Sequence, residues 1–460
     1  MIRWLLKTLT WLPHYRFRKA LVDPRIQEKV LNKIIKEIPK IQHYKNLTVS
    51  KDNFDRVVPI VEYDDIRASV ELSLRGIKNA ILYGTIKMYE KTSGTTTASK
   101  HIPYTTKTMY DFFTMLMIWC HDLVSNVNDL STCGTFFSIS PTKNENEVKN
   151  VGMNSDDEYF PWLVRKLFSK QLLIPRNIKS IKNQEDYDKK LLEFLSNQKS
   201  LEIISIWNPT YLLVYLDKFP KDTDFKLIWP NLKIISVWGD ATAEQGYNIL
   251  KNIFPHVYIQ KKGLLSTEFP ISIPLAKRAN GHYPLIHLIY FEFKNSEKLL
   301  KLHEVKIGET YTLVLSKPGG FIRYNTHDQV EIIDIEKGVP IFKFIGRDNI
   351  TSDLVGEKLT EVFVRNSLKK FTSKNAFLRA CYKHQKFFYE LVTEENINII
   401  DFETELRMNI HYDYARKIGQ LGPLRINQVD NPEEEFLKFK LQMNLKRGDV
   451  KFSHLLCLKQ

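Results

Sequence analysis

The chain contains few cysteines. Its 460 residues include only four, namely Cys120, Cys133, Cys381 and Cys457. They are too few and too widely separated to build a disulfide framework or a metal site of the Cys-x-x-Cys type. Because free thiols persist in reducing compartments, the simplest location that we expect is the cytoplasm.

The chain also lacks a long block of basic residues. It carries 67 Lys and Arg against 53 Asp and Glu, for a formal net charge of +14. Such an excess favours anionic partners, such as nucleotides, nucleic acids or acidic membrane surfaces. The basic residues are scattered among acidic ones, and neither a zinc-knuckle nor a helix-turn-helix pattern is present. We therefore expect no nucleic-acid partner.

The apolar first segment, "MIRWLLKTLTWLP", cannot span a membrane. Arg3 and Lys7 interrupt it and Pro13 closes it, and no small-residue cleavage site follows. An amphipathic helix here could still lie on a membrane surface, although such helices more often pack on their own domain. The anchors of a membrane-bound helix would be Trp4, Leu5, Trp11 and Leu12.

No internal repeat or low-complexity tract interrupts the chain, whose 43% hydrophobic content is enough for a sizeable core. The length favours about two to three domains. Asp23-Pro24 has the pattern of a helix start, and apolar residues then recur at helical spacing from Ile26 to Ile38, just before Pro39. This pattern predicts an amphipathic helix.

From about Leu201 the pattern becomes that of an α/β domain. "LEIISIW" and "LKIISVWGD" are typical of buried strands, and "PTYLLVYLDKF" between them is typical of a helix. Further strands are predicted in quick succession, the later ones in a more antiparallel, β-rich subdomain. These strands are "HVYIQKKG", "PLIHLIYFEF", "ETYTLVLSK", "QVEIIDI" and "IFKFIG".

The pattern of apolar and polar residues changes again after Gly346. Segments such as "TEVFVRNSLKKF", "FFYELVTE" and "EEFLKFKLQMNLK" provide enough helices and strands for a small α+β domain. We place the boundary at Asp348-Asn349, so that residues 1–347 form a large N-terminal domain and residues 348–460 a small C-terminal one.

Four polar clusters carry the chemistry. The first, "YEKTSGTTTASKHIPYT", surrounds one glycine with hydroxyl side chains and lysines. Backbone N–H groups, hydroxyls and an ammonium can together bind a polyphosphate. An ordinary polar turn is the alternative.

The second cluster, "KKGLLSTEF", places Ser266, Thr267 and Glu268 after a predicted strand. Loops at strand ends are where open α/β sheets bind ligands. A carboxylate at this position can bind Mg²⁺ that is shared with nucleotide phosphates. The alternative is a helix cap.

The third and fourth clusters lie close to the predicted boundary. In "GGFIRYNTHD", Asp328 can accept hydrogen bonds from both hydroxyls of a ribose, unless the segment is a surface turn with an ion pair. In "FIGRDNITSDLVGEKLTE", an Arg-Asp pair precedes Gly-Glu-Lys. This segment alone indicates only a turn and the start of a helix.

The order of the clusters resembles that of the adenylate-forming superfamily of acyl-CoA synthetases, peptide-synthetase adenylation domains and luciferases. It is most similar to the acyl-acid amido synthetases named after the plant auxin-responsive promoter genes, and especially to their bacterial relatives. The resemblance covers nearly the whole chain and includes "SIWNPTYLL" and "LKIISVWGDATA". Its most specific part is "FIGRDNITSDLVGEKLTE". It implies a large α/β adenylating domain, with mixed sheets flanked by helices, and a small mobile C-terminal domain.

The resemblance also implies a role for individual residues. Thr267 and Glu268 would contact the α-phosphate and Mg²⁺, and Asp328 would hold the ribose with Arg347 beside it. Gly239 and Asp240 would line the adenine. The residues implied to bind the ATP phosphates are Thr92, Ser93, Gly94, Thr95, Thr96, Lys100 and Ser266.

The C-terminal domain would rotate about a hinge at Asp348 or Asn349 between two half-reactions. Lys451 aligns best with the lysine that family members direct at the α-phosphate. Lys446 and Lys459 are the alternatives.

Aromatic residues in segments that flank the site in relatives are candidates for the pocket of the acid. The alternative is that they belong to the hydrophobic core. They are Trp119, Phe136, Phe137, Trp207 and Tyr211.

The resemblance implies an ATP-dependent ligase that activates a carboxylic acid as an acyl-adenylate and transfers the acyl group to an amine, such as an amino acid. An acyl-CoA ligase that transfers to coenzyme A is the enzymatic alternative, because no short motif reports the acceptor. A non-catalytic scaffold that keeps the fold is the alternative from another class.

Overall fold

The computed structural model describes most of the chain. The described residues are 2–91, 100–137, 165–166, 168–173, 178, 181, 184–207, 209–278, 280–295, 298–347, 350–352, 354–355, 357–383, 386–417, 420–442, 450 and 452–457. None of the helices in this part combines the length and the hydropathy needed to cross a bilayer.

The first part of the chain is mainly helical. Two helices, α1 (Ile2–Ala20) and α2 (Ile26–Glu37), are followed by 3₁₀ turns at Ile38–Lys40 and Gln42–Tyr44 and by α3 (Phe54–Val57) and α4 (Tyr63–Leu74). An antiparallel pair, β1 (Ile86–Lys91) and β2 (His101–Thr105), leads into the long helix α5 (Thr106–Asn126). The side chain of Thr105 caps α5 by accepting from the backbone N–H of Thr108.

The predicted α2 is confirmed, but its start is not at Pro24. The helix begins at Ile26, and the Asp23 carboxylate instead accepts from the backbone N–H of Arg25 at 3.0 Å. Asp23 therefore stabilises the turn before the helix. Val30, Leu31 and Ile34 then enter the core, as their spacing predicts.

The predicted α/β organisation is confirmed. Strands β3 (Gly134–Phe137), β4 (Leu201–Ser205), β5 (Ile234–Val237) and β6 (Tyr258–Lys261) form a parallel sheet in the order β3-β4-β5-β6. The described helices between these strands are α6 (Gln184–Ser196), α7 (Pro209–Leu216), α8 (Phe225–Ile228) and α9 (Glu244–Ile253), with a 3₁₀ turn at Ala241–Ala243.

This sheet is buried on both faces, which explains its continuous apolar runs. Ile203 and Ile234 pack against residues of α5, including Leu123. Ile204 and Ile235 point to the other face and join the core formed with α6 to α9. The two faces follow from the alternation of side chains along a strand.

The β-rich subdomain is also confirmed. After the short pair β7 (Ser272–Ile273) and β8 (Tyr283–Pro284), strands β9 (Tyr290–Lys294), β10 (Leu299–Lys301), β11 (Thr310–Ser316), β12 (Tyr324–Glu336) and β13 (Val339–Arg347) form an antiparallel sheet in the order β10-β9-β11-β12-β13. Its inner face shares one large core with α2 and α4.

The strand predicted over "PLIHLIYFEF" is only half correct. β9 begins at Tyr290, and the preceding buried residues form a turn. The side-chain amide of Gln27, from α2, donates to the carbonyl oxygens of Ile286 and Ile289, each at 2.8 Å. Because a distant side chain satisfies these carbonyls, the segment can be buried without pairing as a strand.

The residues after 350 form elements of their own. Short strands β14 (Thr351–Ser352) and β15 (Leu359–Thr360) precede α10 (Glu361–Leu368), β16 (Phe377–Lys383), β17 (Lys386–Thr393), α11 (Ile399–Leu406), α12 (Ile410–Lys417), β18 (Arg425–Gln428), α13 (Pro432–Gln442) and β19 (Leu455–Leu456). The last four strands form a mixed sheet, β18-β17-β16-β19, around a separate core. The predicted domain boundary, Asp348-Asn349, lies outside the described residues.

We expect the free energy of unfolding to fall on acidification because His454 is buried. Burial lowers the pKa of His454 from 6.5 to about 4, although its Nδ1 donates to the carbonyl of Ala376. The unfolded chain therefore binds more protons than the folded chain between these values. The contribution of the neutral His454 to the free energy of unfolding is fully present above pH 6.5 and is lost as the pH falls to about 4. It is at most on the order of 3 kcal/mol.

Urea unfolding at a series of pH values measures this effect. His454→Asn places an amide donor at the position of Nδ1, where it can still reach Ala376, but it does not titrate, so its free energy of unfolding should depend less on pH than that of the wild type. Equal pH dependence in both proteins would show that His454 does not cause the loss.

Candidate functional site

Three charged side chains from distant parts of the sequence, Lys100, Glu268 and Arg347, lie close enough for their charges to interact. Lys100 directly precedes β2 and lies half-buried, with its Nζ 5.3 Å from the ring centroid of Tyr63. Burial lowers the pKa of Lys100, the charge of Arg347 lowers it further, and the carboxylate of Glu268 opposes both. The predicted phosphate-site lysine therefore shares one electrostatic environment with the predicted metal ligand and the arginine near the boundary.

The loop that carries Glu268 is a tight turn between β6 and β7. At the base of the loop its two ends are joined by a hydrogen bond, in which Ser272 N–H donates to the Leu264 carbonyl at 3.0 Å. At the tip, Ser266 N–H donates to the carbonyl of Phe269, and the Ser266 hydroxyl accepts from Phe269 N–H at 3.1 Å. The helix-cap alternative is wrong, because β7 and not a helix follows this loop.

Glycine is required at the base of this loop. A Cβ on Gly263 would lie only 2.3 Å from the backbone oxygen of Ser272. The close approach of the two backbones is what allows the loop to close so tightly. Gly263, two residues after β6, is therefore fixed by backbone packing.

Two tyrosines hold the tip. The Tyr104 hydroxyl donates to the carbonyl of Thr267 at 2.6 Å, and the Tyr324 hydroxyl donates to the Glu268 carboxylate at 3.3 Å. Burial raises the pKa of Tyr324, and the charge of Glu268 raises it further, so the phenol remains a donor. The sequence prediction gave no role to Tyr324, although this residue lies inside the "GGFIRYNTHD" cluster.

Asp328 and Arg347 face each other across β12 and β13. They are paired in register, and Arg347 Nε lies 3.3 Å from an Asp328 carboxylate oxygen. Arg347 also donates to the carbonyl of Thr326 at 2.8 Å. The alternative reading as a surface turn is wrong, since Asp328 is buried within a strand, but the ion pair of that reading is present.

Glu62 is a further residue at this end of β12 that sequence reasoning missed. Its carboxylate lies 3.1 Å from His327 Nε2 and accepts from the side-chain amide of Asn325 at 3.3 Å. The backbone next to it is tied to the same strand, because Asn325 N–H donates to the Val61 carbonyl at 2.9 Å. No local pattern could have identified a pairing over this sequence distance.

Asp240 is held by the protein itself. Its carboxylate accepts from Lys261 at 3.2 Å, from His282 Nε2 at 3.0 Å and from Phe344 N–H at 3.3 Å. Burial alone would raise the pKa of Asp240, but His282 and Lys261 outweigh it, and the pKa is lowered. Asp240, which lies just after β5, is thus tied to β6, to the residue before β8 and to β13. The adjacent Gly239 has no room for a Cβ, which would lie 2.5 Å from Lys261 Cγ.

Two of the aromatic candidates meet around a lysine. Lys262 Nζ lies 4.0 Å from the ring centroid of Trp207 and 5.8 Å from that of Trp119, and it donates to the Ser205 hydroxyl at 2.8 Å. Phe136, in contrast, belongs to the core behind the sheet, as the alternative reading predicts. The side chain of Tyr211 lies outside the described part, and Phe137 is buried in β3.

A polar row crosses the sheet beneath Trp119. Ser205, Ser236 and Gln260 occupy paired positions on β4, β5 and β6, and all three are buried. Gln260 Oε1 accepts from Trp119 Nε1 at 2.8 Å and from the Ser236 hydroxyl at 3.1 Å. The row and Lys262 give this end of the sheet a polar, cationic lining that no short motif predicts.

Several predicted residues lie outside the described residues. They are the loop residues Thr92, Ser93, Gly94, Thr95 and Thr96, the hinge residues Asp348 and Asn349, and the lysines Lys446, Lys451 and Lys459.

Comparison with known sequence families gives two matches. The profile described as "GH3 family N-terminal domain" matches residues 16–222. The profile described as "GH3 family central domain" matches residues 282–347.

Curated relatives include plant enzymes. The chain is 23% identical over 253 residues to the indole-3-acetic acid-amido synthetase GH3.4 of Arabidopsis thaliana, covering 46% of this chain and 42% of that protein. It is 27% identical over 251 residues to GH3.6 of the same plant, an enzyme of the same name, covering 44% and 41%. The matched part thus spans less than half the length of these relatives.

Solved structures show a shared fold. The chain is similar to the AtGH3.15 acyl acid amido synthetase in complex with 2,4-DB, with a TM-score of 0.76, 18% identity and coverage of 99% of this chain and 94% of that one. It is also similar to a 2-hydroxyisobutyryl-CoA ligase in the postadenylation state, with a TM-score of 0.56, 12% identity and coverage of 96% and 90%. These similarities confirm the predicted fold class.

Proposed function

The chain belongs to the GH3 family, and from this premise we propose that it is an ATP-dependent ligase that forms an acyl-adenylate from a carboxylic acid and transfers the acyl group to an amine. The family resemblance inferred from the motifs is confirmed. The observation that carries the proposal is that the charges of Glu268 and Arg347 both act on the half-buried ammonium of Lys100. A scaffold that only preserves a fold has no need to bring these charges together.

The charges suit the chemistry of adenylation. When a carboxylate attacks the α-phosphorus of ATP, negative charge builds on the equatorial oxygens. A half-buried ammonium at Lys100 can offset the charge of the departing phosphates, because burial strengthens its field. Arg347 adds a second cation, and it orients Asp328 to accept from the ribose hydroxyls.

The carboxylate of Glu268 is chemically suited to bind Mg²⁺. Among the described residues, no group of three or more His, Cys, Asp or Glu side chains forms a metal cluster. A Mg²⁺ that is shared with nucleotide phosphates needs only one or two carboxylates from the protein. Bound Mg²⁺ would neutralise charge on the phosphate oxygens. The Tyr324 hydroxyl would position the Glu268 carboxylate for this role.

The adenine would lie against the backbone around Gly239, because the protein already uses the carboxylate of Asp240. The loop from Thr92 to Thr96 would bind the β- and γ-phosphates, with Ser266 and Thr267 at the α-phosphate. The C-terminal domain would turn about Asp348 or Asn349 and bring Lys451 to the α-phosphate for the first half-reaction. We propose a cytoplasmic location.

Coenzyme A remains the alternative acceptor, since one of the structures that share this fold is named as a CoA ligase. The experiment incubates the protein with ATP, Mg²⁺ and pools of acids, and adds either a mixture of amino acids or coenzyme A. Mass spectrometry then detects an amide or a thioester. Formation of an amide supports the proposal. Formation of a thioester identifies the protein as an acyl-CoA ligase instead. ATP hydrolysis that does not depend on an acid supports neither function.

We further propose that Trp119, Trp207 and Lys262 line the pocket of the acid. Their cation and aromatic rings suit an acid that carries a second polar or anionic group. We expect Lys262→Met, which keeps the apolar stem, to raise the KM for such an acid by about tenfold or more. The KM for an apolar acid of equal size should change little.

The KM for ATP serves as the internal control for Lys262→Met. A matched control variant is Lys251→Met, which removes a lysine from α9 at 5.8 Å from the Tyr247 ring. An equal rise in the KM for both acids would mean that Lys262 binds the reacting carboxylate or supports the fold, and that it does not select the acid.

A further inference from the structure

Within the described part of the chain, helix α1 packs on the protein through one face. The Thr10 hydroxyl lies 3.0 Å from His121 Nδ1 of α5, and Arg3 Nε donates to the Val124 carbonyl at 2.7 Å. Phe17 and Ala20 are buried on the same side. These contacts fix the orientation of the helix, so the side chains opposite them have a defined direction.

The opposite face is apolar and exposed. Trp4 is 70% exposed, Trp11 54% and Tyr15 47%, and the rings of Trp11 and Tyr15 stack with centroids 5.1 Å apart. Leu9 and Leu12 are each 45% exposed. At about 100° per residue, Trp4, Trp11 and Tyr15 lie within one narrow band along the helix. A contiguous apolar surface of this kind marks an interaction site.

The charges of this segment all have one sign. Residues 1–22 contain no Asp or Glu. They contain five Lys and Arg residues, which are Arg3, Lys7, Arg16, Arg18 and Lys19. By the same helical geometry, Lys7 and Arg18 border the aromatic band on one side and Arg16 lies beyond its other side. Arg3 is used in the contact with α5, whereas Arg16, Arg18 and Lys19 are exposed and Lys7 is partly exposed.

We propose that the exposed face of α1 docks on an anionic lipid bilayer. Trp and Tyr prefer the boundary between water and lipid, and cations around them bind acidic headgroups. The helix would lie along the surface, because its other face stays on α5. Phe17 on that face would remain in the protein core.

Two other occupants fit the charges less well. A second copy of the chain would bring two acid-free, cationic helices together, which like-charge repulsion opposes. A nucleic acid would be attracted by the cations, but it would leave the leucines and the apolar parts of the band in water.

The test is sedimentation of the full chain with phosphatidylcholine vesicles, with and without phosphatidylglycerol. We expect binding only to vesicles that contain phosphatidylglycerol, and we expect it to weaken as salt rises. The double variant Trp4→Ser, Trp11→Ser should bind at least about tenfold more weakly. Its thermal midpoint should not change, because both side chains are mostly exposed.

A matched control is Leu227→Ser, which replaces a leucine of α8 that is 75% exposed elsewhere on the surface. It should bind like the wild type. Absence of binding to anionic vesicles, or undiminished binding by the double variant, overturns the proposal. A dimer in gel filtration that the double variant abolishes would identify a second copy as the occupant instead. Each outcome is independent of ATP and of the proposed ligase activity.

Discussion

Replacement of Glu268 by glutamine or alanine should lower the rate of acyl-adenylate formation by at least about 100-fold, the typical loss when one stabiliser of transition-state charge is removed. Glutamine keeps the shape of the side chain and an oxygen that can accept from Tyr324. It removes only the negative charge that would bind Mg²⁺. The measurement is the rate of acid-dependent pyrophosphate exchange as Mg²⁺ is varied, and the glutamine variant should need more Mg²⁺.

The matched control is Tyr324→Phe, which removes the hydrogen bond at 3.3 Å and leaves the carboxylate charge in place. We expect a loss of no more than about tenfold, since one neutral donor to a charged group contributes less than the charge itself. Full activity in Glu268→Gln would remove Glu268 as the metal ligand. A larger loss in Tyr324→Phe than in Glu268→Gln would assign the main role to the phenol.

Lys451→Ala should lower adenylate formation by a similar factor of at least about 100. The residues on either side of Lys451 are anchored, because Val450 and Phe452 join the core around Phe377. Phe452 and Phe377 have ring centroids 5.9 Å apart. If the residues after 350 move as proposed, a lysine between two anchored residues would be carried with them to the α-phosphate.

The two half-reactions separate this role from a general loss of folding. Lys451→Ala supplied with a chemically prepared acyl-adenylate should still transfer the acyl group to the acceptor, because the proposed role of the lysine is confined to the first half-reaction. Lys446→Ala is the matched control and should form the adenylate normally. Full exchange activity in Lys451→Ala would move the role to Lys446 or Lys459.

Local patterns predict the parts of this fold that depend on local contacts. The apolar spacing from Ile26 to Ile38 predicts α2, and the continuous apolar runs at β4 and β5 predict strands covered on both faces. The turn before β9 was missed because its carbonyls are satisfied by Gln27, more than 250 residues earlier. No local pattern contains that partner.

The residues of the candidate site also fall into those that local sequence predicts and those that only the tertiary fold brings together. Ser266, Thr267 and Glu268 were predicted from a single loop, and the pairing of Asp328 with Arg347 follows from two adjacent strands. The contacts of Glu62 with His327 and of Lys262 with Trp207 join residues that only the tertiary fold brings together. Phe136 was predicted as a candidate for the pocket of the acid, but its side chain belongs to the hydrophobic core. Its position in the sequence does not show which face of the strand it occupies.

The central claim is that this chain adenylates a carboxylic acid. The most direct measurement is acid-dependent exchange of labelled pyrophosphate into ATP, with pools of aryl, indolyl, fatty and amino acids and with Lys451→Ala alongside. We predict exchange with at least one pool and its loss in the variant. A protein that binds no ATP and catalyses no exchange with any pool would contradict the claim and support the non-catalytic scaffold.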